Sequence, residues 1–242
     1  MSQEPSIRIN KYLSEVGFCS RRAADGLLEQ KRITINGKIP ELGTQVFPQD
    51  EVRVDGQLVG KPKQQHVYIA FNKPVGIVST TDTLGEKDNI IDFIGHSERI
   101  FPIGRLDKDS EGLILLTSEG DLVNKILRSK NNHEKEYVVT VDKPLHPSFA
   151  QRMSAGIPIL DTVTDPCTVV AINKFKFRII LKQGLNRQIR RMCAHLGYQV
   201  TQLKRIRIMH IQLDLAVGKW RDLSEKELTQ LNLLIQDSSK TT

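Results

Sequence analysis

The densest set of chemically capable side chains is Gly104-Arg105-Leu106-Asp107-Lys108-Asp109-Ser110-Glu111-Gly112-Leu113, lying between the apolar Ile100-Phe101-Pro102-Ile103 and the strand-like Leu113-Ile114-Leu115-Leu116-Thr117. Carboxylates at every second position invite two chemistries, calcium binding and glycoside cleavage. Asp107, Asp109, Glu111 and Gly112 match positions 1, 3, 5 and 6 of a calcium loop, but Ser118 stands at position 12 where a bidentate Glu is required, and helices do not flank the segment. Calcium is therefore not expected. A glycosidase pair needs two carboxyl groups converging on one bond, which neighbours at i and i+2 rarely do, and with aromatics at 5% no sugar-stacking surface accompanies them. Taken by itself, the segment reads by default as a salt-bridged turn.

The second reactive cluster is Asn186-Arg187-Gln188-Ile189-Arg190-Arg191-Met192. A helix over 186–195 would put Arg187, Arg190 and Arg191 on one face, with Arg190 turned inward and the other two free to meet phosphate. Lys73 precedes Pro74 and either shapes a turn or faces a ligand. Tyr137 opens a strand, where core packing competes with a role on a bound ring. His133 and His195 have no partner in the pattern and read as structural. Cys19, Cys167 and Cys193 are odd in number, far apart and without CxxC spacing, so buried thiols are expected rather than a disulfide or zinc. With no ligand cluster, no P-loop and no G-x-G-x-x-G, neither metal nor nucleotide cofactor is implied.

Elements must hold these groups. At 242 residues the chain has room for one ordinary domain and a smaller one, and 39% hydrophobic with 26% charged residues is a globular composition. No apolar run nears the ~20 residues that cross a bilayer, and Met1 to Pro5 is polar with no apolar run behind it, so a cytoplasmic protein without membrane or secretory segment is expected. The net charge of +7 is unevenly spread: Pro166 to Leu213 holds ten Lys and Arg and no Asp or Glu, leaving 25 basic against 28 acidic residues elsewhere. Such a concentration favours a polyanion such as nucleic acid.

Residues 1–60 read as helix, helix and strands. Ile9, Leu13 and Val16 predict a helix from Ile7 to Val16 ended by Gly17; Ser20 caps a second with Ala23, Ala24, Leu27 and Leu28 on its apolar side. Strands run into Asn36-Gly37 and Asp55-Gly56. Residues 61–66 read as a linker, 67–236 as an α+β domain and 237–242 as a frayed tail. Within the larger domain strands are expected at Val67 to Phe71, Gly76 to Thr80, Leu113 to Thr117, Tyr137 to Val141, Phe175 to Leu181 and Lys204 to Leu213. Helices are expected at Asp121 to Leu127, Pro147 to Ala155 and Asn186 to His195, with a capping box at Ser224 to Glu227 opening a last one.

Arg8-Ile9-Asn10-Lys11-Tyr12-Leu13, Cys19-Ser20-Arg21-Arg22-Ala23-Ala24 and Arg32-Ile33-Thr34-Ile35-Asn36-Gly37 resemble the S4 RNA-binding domain. That resemblance implies RNA contacts from Arg8, Lys11, Arg21 and Arg22. Taken in order, Lys73-Pro74-Val75-Gly76, Gly104 to Thr117, Glu134-Lys135-Glu136-Tyr137 and Gly184 to Met192 resemble the motifs of RNA pseudouridine synthases. With an S4 unit in front, the chain resembles their RsuA-type branch, and within it the RluF type that acts on large-subunit ribosomal RNA. The resemblance implies a mixed, mainly antiparallel sheet and no cofactor. It makes Asp107 the catalytic aspartate, Arg190 its ion-pair partner, Tyr137 the ring stacked on the uracil, Ile189 a pocket wall and Arg105 the side chain filling the space the base leaves; Lys73, Arg187 and Arg191 would touch substrate. Large-subunit ribosomal RNA is the expected partner of a monomer, with transfer RNA a second candidate. A non-catalytic S4-type assembly factor is the alternative, which leaves the Gly104 and Asn186 motifs without purpose; a methyltransferase lacks a Gly-rich donor loop after a strand.

Overall fold

The computed structural model describes residues 6–60, 65–127 and 133–236, and the chain divides into two units, Met1–His66 and Val67–Thr242. Residues 61–64 of the expected linker, the expected tail 237–242 and Met1 to Pro5 lie outside the described residues.

In the first unit, β1 (Ile7–Arg8) leads into α1 (Ile9–Glu15), followed by α2 (Arg21–Glu29), β2 (Ile33–Ile35), β3 (Gln45–Val46), β4 (Val52–Val54) and β5 (Gln57–Leu58). The first helix starts two residues later than its apolar spacing predicts because Ile7 and Arg8 pair antiparallel with Val46 and Gln45. The Ser20 side chain accepts from the Ala23 N–H at 3.1 Å, satisfying one of the unpaired donors that open α2. Asn36 and Gly37 both have positive φ, as do Asp55 and Gly56, the geometry of two-residue hairpin turns. Ile9, Leu13, Ala24 and Ile33 are buried completely and make this unit's core.

The second unit begins with β6 (Tyr68–Lys73), α3 (Ile90–Ile94), β7 (Phe101–Ile103), β8 (Glu111–Thr117), α4 (Gly120–Leu127) and β9 (Lys135–Val141). It continues through α5 (Phe149–Ser154), β10 (Pro158–Ile159), β11 (Thr162–Val163), β12 (Thr168–Asn173), β13 (Lys176–Leu181), α6 (Gln188–His195), β14 (Val200–Ile208), β15 (Ile211–Gln212), β16 (Trp220–Asp222) and α7 (Glu225–Ile235). Among the described residues nine strands form one sheet in the order β12-β13-β9-β14-β8-β6-β16, with β15 on β14 and β7 on β8. Only β8 and β14 run parallel, so the unit is α+β with a mainly antiparallel sheet, as the resemblance implies. The capping box at Ser224 is formed, its hydroxyl accepting from Glu227 N–H while the Glu227 carboxylate accepts from Ser224 N–H.

Two strand expectations need correction. Gly76 to Thr80 forms a turn with a single bridge from Val78 to Asn89, because the segment is spent on holding the neighbouring loop. Lys204 to Leu213 is broken at Met209, whose φ is 53°, and folds back as β14 and β15.

The position of the acidic loop follows from a change of partner along β8. Glu111 and Gly112 pair with Lys204 and Arg205 of β14, whereas Leu115, Leu116 and Thr117 pair on that edge with Ile103, Pro102 and Phe101 of β7. The sheet opens at Leu113, and Gly104 to Ser110 connects the two sides of the opening. Gly112 makes the parallel approach possible: a Cβ there would stand 2.2 Å from the Arg205 carbonyl oxygen, and its φ is +112°.

Candidate active site

The segment Gly104 to Ser110 is held through its backbone by a side-chain hydroxyl and a backbone N–H of the turn after β6. Ser79, itself buried, accepts from Leu106 N–H at 3.1 Å and donates to the Leu106 carbonyl at 2.9 Å, and Gly76 N–H donates to the Lys108 carbonyl at 2.7 Å. A Ser110 N–H bond to the Asp107 carbonyl at 3.0 Å closes the turn. Leu106 is buried beside Ile90, Ile100 and Ile114, so the loop is anchored on both sides of Asp107 while the Asp107 side chain stays part-exposed.

Asp107 fronts a cleft of about 330 Å³, the size of small-ligand sites. Arg105, Tyr137, Arg187, Ile189 and Arg190 line it too. The remaining two expected substrate residues do not. Lys73 is fully buried, donating from Nζ to the carbonyls of Pro74 at 2.8 Å and Ile77 at 2.7 Å, and so it closes the turn that carries Gly76 and Ser79. Burial pushes its ammonium down to about 8 despite the nearby carboxylates of Asp109 and Asp107. Arg191 is exposed and bonded to Asn186, through its carbonyl and its side-chain oxygen, both at 3.1 Å.

The expected Asp107–Arg190 pair is not formed. Arg190 donates from Nη2 to the Asp109 carbonyl at 2.8 Å and to Ser110 Oγ at 3.1 Å, with Nε 3.4 Å from the Asp109 carboxylate. Arg187 takes the nearer place, with Nη1 3.7 Å from Asp107 Oδ2 and a two-pronged bond to Asp109 at 3.2 and 2.9 Å. The reason is backbone geometry. Arg187 has φ +48° and sits at the N-cap, outside the helix, so its direction is set by that turn and not by the helical repeat of Arg190 and Arg191. The hydrogen bonds from Arg187, joined by the charges of Arg190 and Arg187, hold the Asp109 carboxyl below the usual carboxylate range.

Tyr137 lies on β9 opposite Arg205 of β14 and packs at the seam between two core clusters, one under α5 and α6 and one under α3. The Arg205 guanidinium stands 5.9 Å from the Tyr137 ring centroid. Ile189 is buried and turns one side to the cleft. In the first unit, Arg8, Arg21 and Arg22 are exposed; Lys11 pairs with Glu15 at 3.4 Å, and Arg8 and Lys11 border a groove with Tyr12 and Phe47. Arg32 is committed to a bidentate pair with Asp55.

The model of the family described as RNA pseudouridylate synthase matches residues 67–195, and that of the S4 domain matches residues 7–52. The chain is 58% identical over 242 residues to the dual-specificity RNA pseudouridine synthase RluF of Escherichia coli (strain K12), covering 99% of this chain and 83% of that protein. The chain belongs to the RNA pseudouridylate synthase family. With an S4 domain in front, this pseudouridine synthase is of the RsuA type, and it is an isomerase. It is also 32% identical over 236 residues to the ribosomal large subunit pseudouridine synthase B of Bacillus subtilis (strain 168), covering 94% of this chain and 96% of that one. A crystal structure of a pseudouridylate synthase superposes with a TM-score of 0.67 at 28% identity, over 93% of this chain and 99% of that one.

In this pseudouridine synthase the cleft contains two further basic residues to which the resemblance assigns no role, Arg205 outside the motifs and Lys135 within the one that ends in Tyr137. Arg205, buried, donates from Nε to the Leu113 carbonyl at 2.6 Å, at the residue where β8 changes partner, and its Nη2 is buried without an acceptor among the described residues. Lys135, also buried, donates to the carbonyls of His133 and Lys182, both at 3.2 Å. The signal in the sequence is strand alternation: Lys135 is two residues before Tyr137 and must share its face of β9.

Proposed function

We propose that this pseudouridine synthase converts one specific uridine of large-subunit (23S) ribosomal RNA to pseudouridine, with Asp107 as the catalytic aspartate and a transfer RNA as a second substrate. The observation that carries the site is the meeting of Asp107, Tyr137 and Ile189 at one cleft from a loop, a strand and a helix far apart in the chain. Uridine must leave the RNA stack to enter it, at a few kcal/mol. Tyr137 then stacks on the flipped ring against Ile189, and Arg105, exposed at the rim, fills the space the base leaves. Asp107, ionised, meets C1′ as the bond to N1 breaks; the freed base turns and rejoins through C5, with no redox change and no hydrolysis. Arg187 supplies the positive charge beside Asp107, and Arg190 keeps the loop in place by holding Asp109 and Ser110. Lys73 acts through the turn beneath that loop, while Arg191 is left to meet phosphate.

The names of the relatives support the substrates: one is called dual-specificity, the other acts on the ribosomal large subunit by name. Arg8, Lys11, Arg21 and Arg22 give the S4 unit its phosphate contacts. The enzyme acts as a cytoplasmic monomer without a cofactor. The test is to map pseudouridines in ribosomal and transfer RNA from cells lacking this protein, then restore it as wild type or as Asp107→Asn. One large-subunit site and one transfer RNA site should vanish and return only with wild type. A site restored by Asp107→Asn would remove Asp107 from the chemistry.

A further inference from the structure

Converting uridine to its C5 isomer leaves a proton in the wrong place, and none of the roles above handles it. Once C1′ is joined to C5, that carbon carries both the sugar and its original hydrogen, and the ring holds a C6=N1 double bond. A base must take the C5 proton and an acid must supply one to N1.

Lys135 is placed for both. It projects from the same face of β9 as Tyr137, lines the cleft, and has its Nζ fixed by two backbone carbonyls, those of His133 and Lys182, both at 3.2 Å. An amine donating both its hydrogens to those acceptors keeps its lone pair for a third partner; an ammonium in the same seat has one N–H to give. No carboxylate among the described residues pairs with it, so nothing pins it in the charged form. We propose that Lys135 is the proton-transfer group of the second half of the reaction. Its lone pair takes the proton from C5, the C–H electron pair becomes the C5=C6 double bond, the C6=N1 electrons move onto N1, and the ammonium so formed protonates N1. The lysine ends as it began.

The electrostatics agree. Burial, and then the charge of Arg205, bring Lys135 down to about 8, where base and acid forms interconvert readily. The charged or titratable groups around it are His133 on the approach to β9, whose ring feels its charge, Arg205 on β14, Asp107 and Arg105 on the loop before β8, and Arg187 and Arg190 at α6.

The inference rests on the cleft being the active site, and the experiment separates the two. Single-turnover rates are measured on unmodified large-subunit ribosomal RNA and transfer RNA transcripts carrying uridine labelled at C5 with tritium, or with deuterium in a parallel set. Lys135→Arg retains a cation but has no base form near neutrality; Lys135→Met has neither. Both should bind RNA as wild type and lose roughly 10²- to 10⁴-fold in rate. Lys135→Arg should show a larger deuterium effect than wild type and lack the wild-type rise in rate through about pH 8. If Lys135→Met fails to fold, Lys135→Arg alone decides. Wild-type rate and pH profile in Lys135→Arg, with Asp107→Asn inactive, would overturn this inference alone. Full activity in Asp107→Asn would overturn the site itself.

Discussion

Arg187 Nη1 stands 3.7 Å from Asp107 Oδ2, while Arg190, on the first turn of the helix that Arg187 precedes, is bonded to the backbone of Asp109. On the proposed mechanism the two arginines divide the work, Arg187 providing charge and Arg190 providing position. Replacing Arg190 by Lys keeps a cation but cannot hold the Asp109 carbonyl and Ser110 hydroxyl together. Misplacing a catalytic loop by about 1 Å can cost on the order of 10²-fold. Arg190→Lys should thus lower kcat by ~10- to 100-fold with KM for RNA nearly unchanged, measured by tritium release. A change confined to KM would show that Arg190 binds RNA instead.

Gly112→Ala should be among the most damaging single substitutions in the catalytic unit. A Cβ would stand 2.2 Å from the Arg205 carbonyl oxygen and 2.6 Å from its nitrogen, both backbone atoms that cannot swing aside, at a φ of +112°. The cost is expected to exceed about 3 kcal/mol, or roughly 10 °C in Tm. Calorimetry on the purified variant checks this, and a loss under about 1 kcal/mol would mean β8 and β14 can part easily.

Stability should rise between pH 7 and about pH 9. Lys73 and Lys135 release their protons near 8 in the folded chain but near 10.5 in the unfolded one, so between those values the unfolded chain binds more protons and rising pH favours the fold. Above about pH 9 the trend should flatten or reverse. Burial pushes Cys167 up to about 11 and Cys193 up to about 12, against 9.0 for a free thiol, and also raises Tyr68. There the folded chain holds protons that the unfolded chain has lost. Urea midpoints at half-unit pH steps would show the rise; a fall from pH 7 to 9 would contradict it.

Replacing Arg8, Lys11, Arg21 and Arg22 together by Ala should weaken RNA binding and flatten its salt dependence. Each lost phosphate contact reduces the slope of log K against log salt by about 0.7 to 0.9. Turnover on saturating RNA should stay close to wild type, since Asp107 lies in the other unit. Filter binding across a salt series measures the slope, and an unchanged slope would remove these four residues from the RNA interface.

Much of the fold could be read locally because local physics decides it. Ser20 and Ser224 start helices where a side-chain oxygen can take a free N–H, Asn36-Gly37 turns where positive φ is tolerated, and Leu113 to Leu116 is apolar throughout because both faces are covered. Short edge strands such as β10, β11 and β16 escaped notice. β16 takes its pairing from the distant β6, β10 and β11 pair only two residues each across a short turn, and none of the three is long enough to carry a period.

The site divides along the same line. Residue types and order sufficed for the family motifs and for the basic tract Pro166 to Leu213, since those depend on what the side chains are, and they named Asp107 and Tyr137 as candidates that the fold brings to one cleft. Which charges neutralise which depends on who stands opposite whom. In three dimensions that tract draws its counter-charges from elsewhere: Glu111 meets Lys204, Glu134 and Glu136 meet Arg207, and Asp109 meets Arg187 and Arg190. One backbone angle at Arg187 moved the expected pairing by a turn of helix, and β9 brought Lys135 to the cleft beside Tyr137. Chemistry of this kind is set by distances of a few ångströms between residues far apart in the chain, and only the packed sheet supplies those.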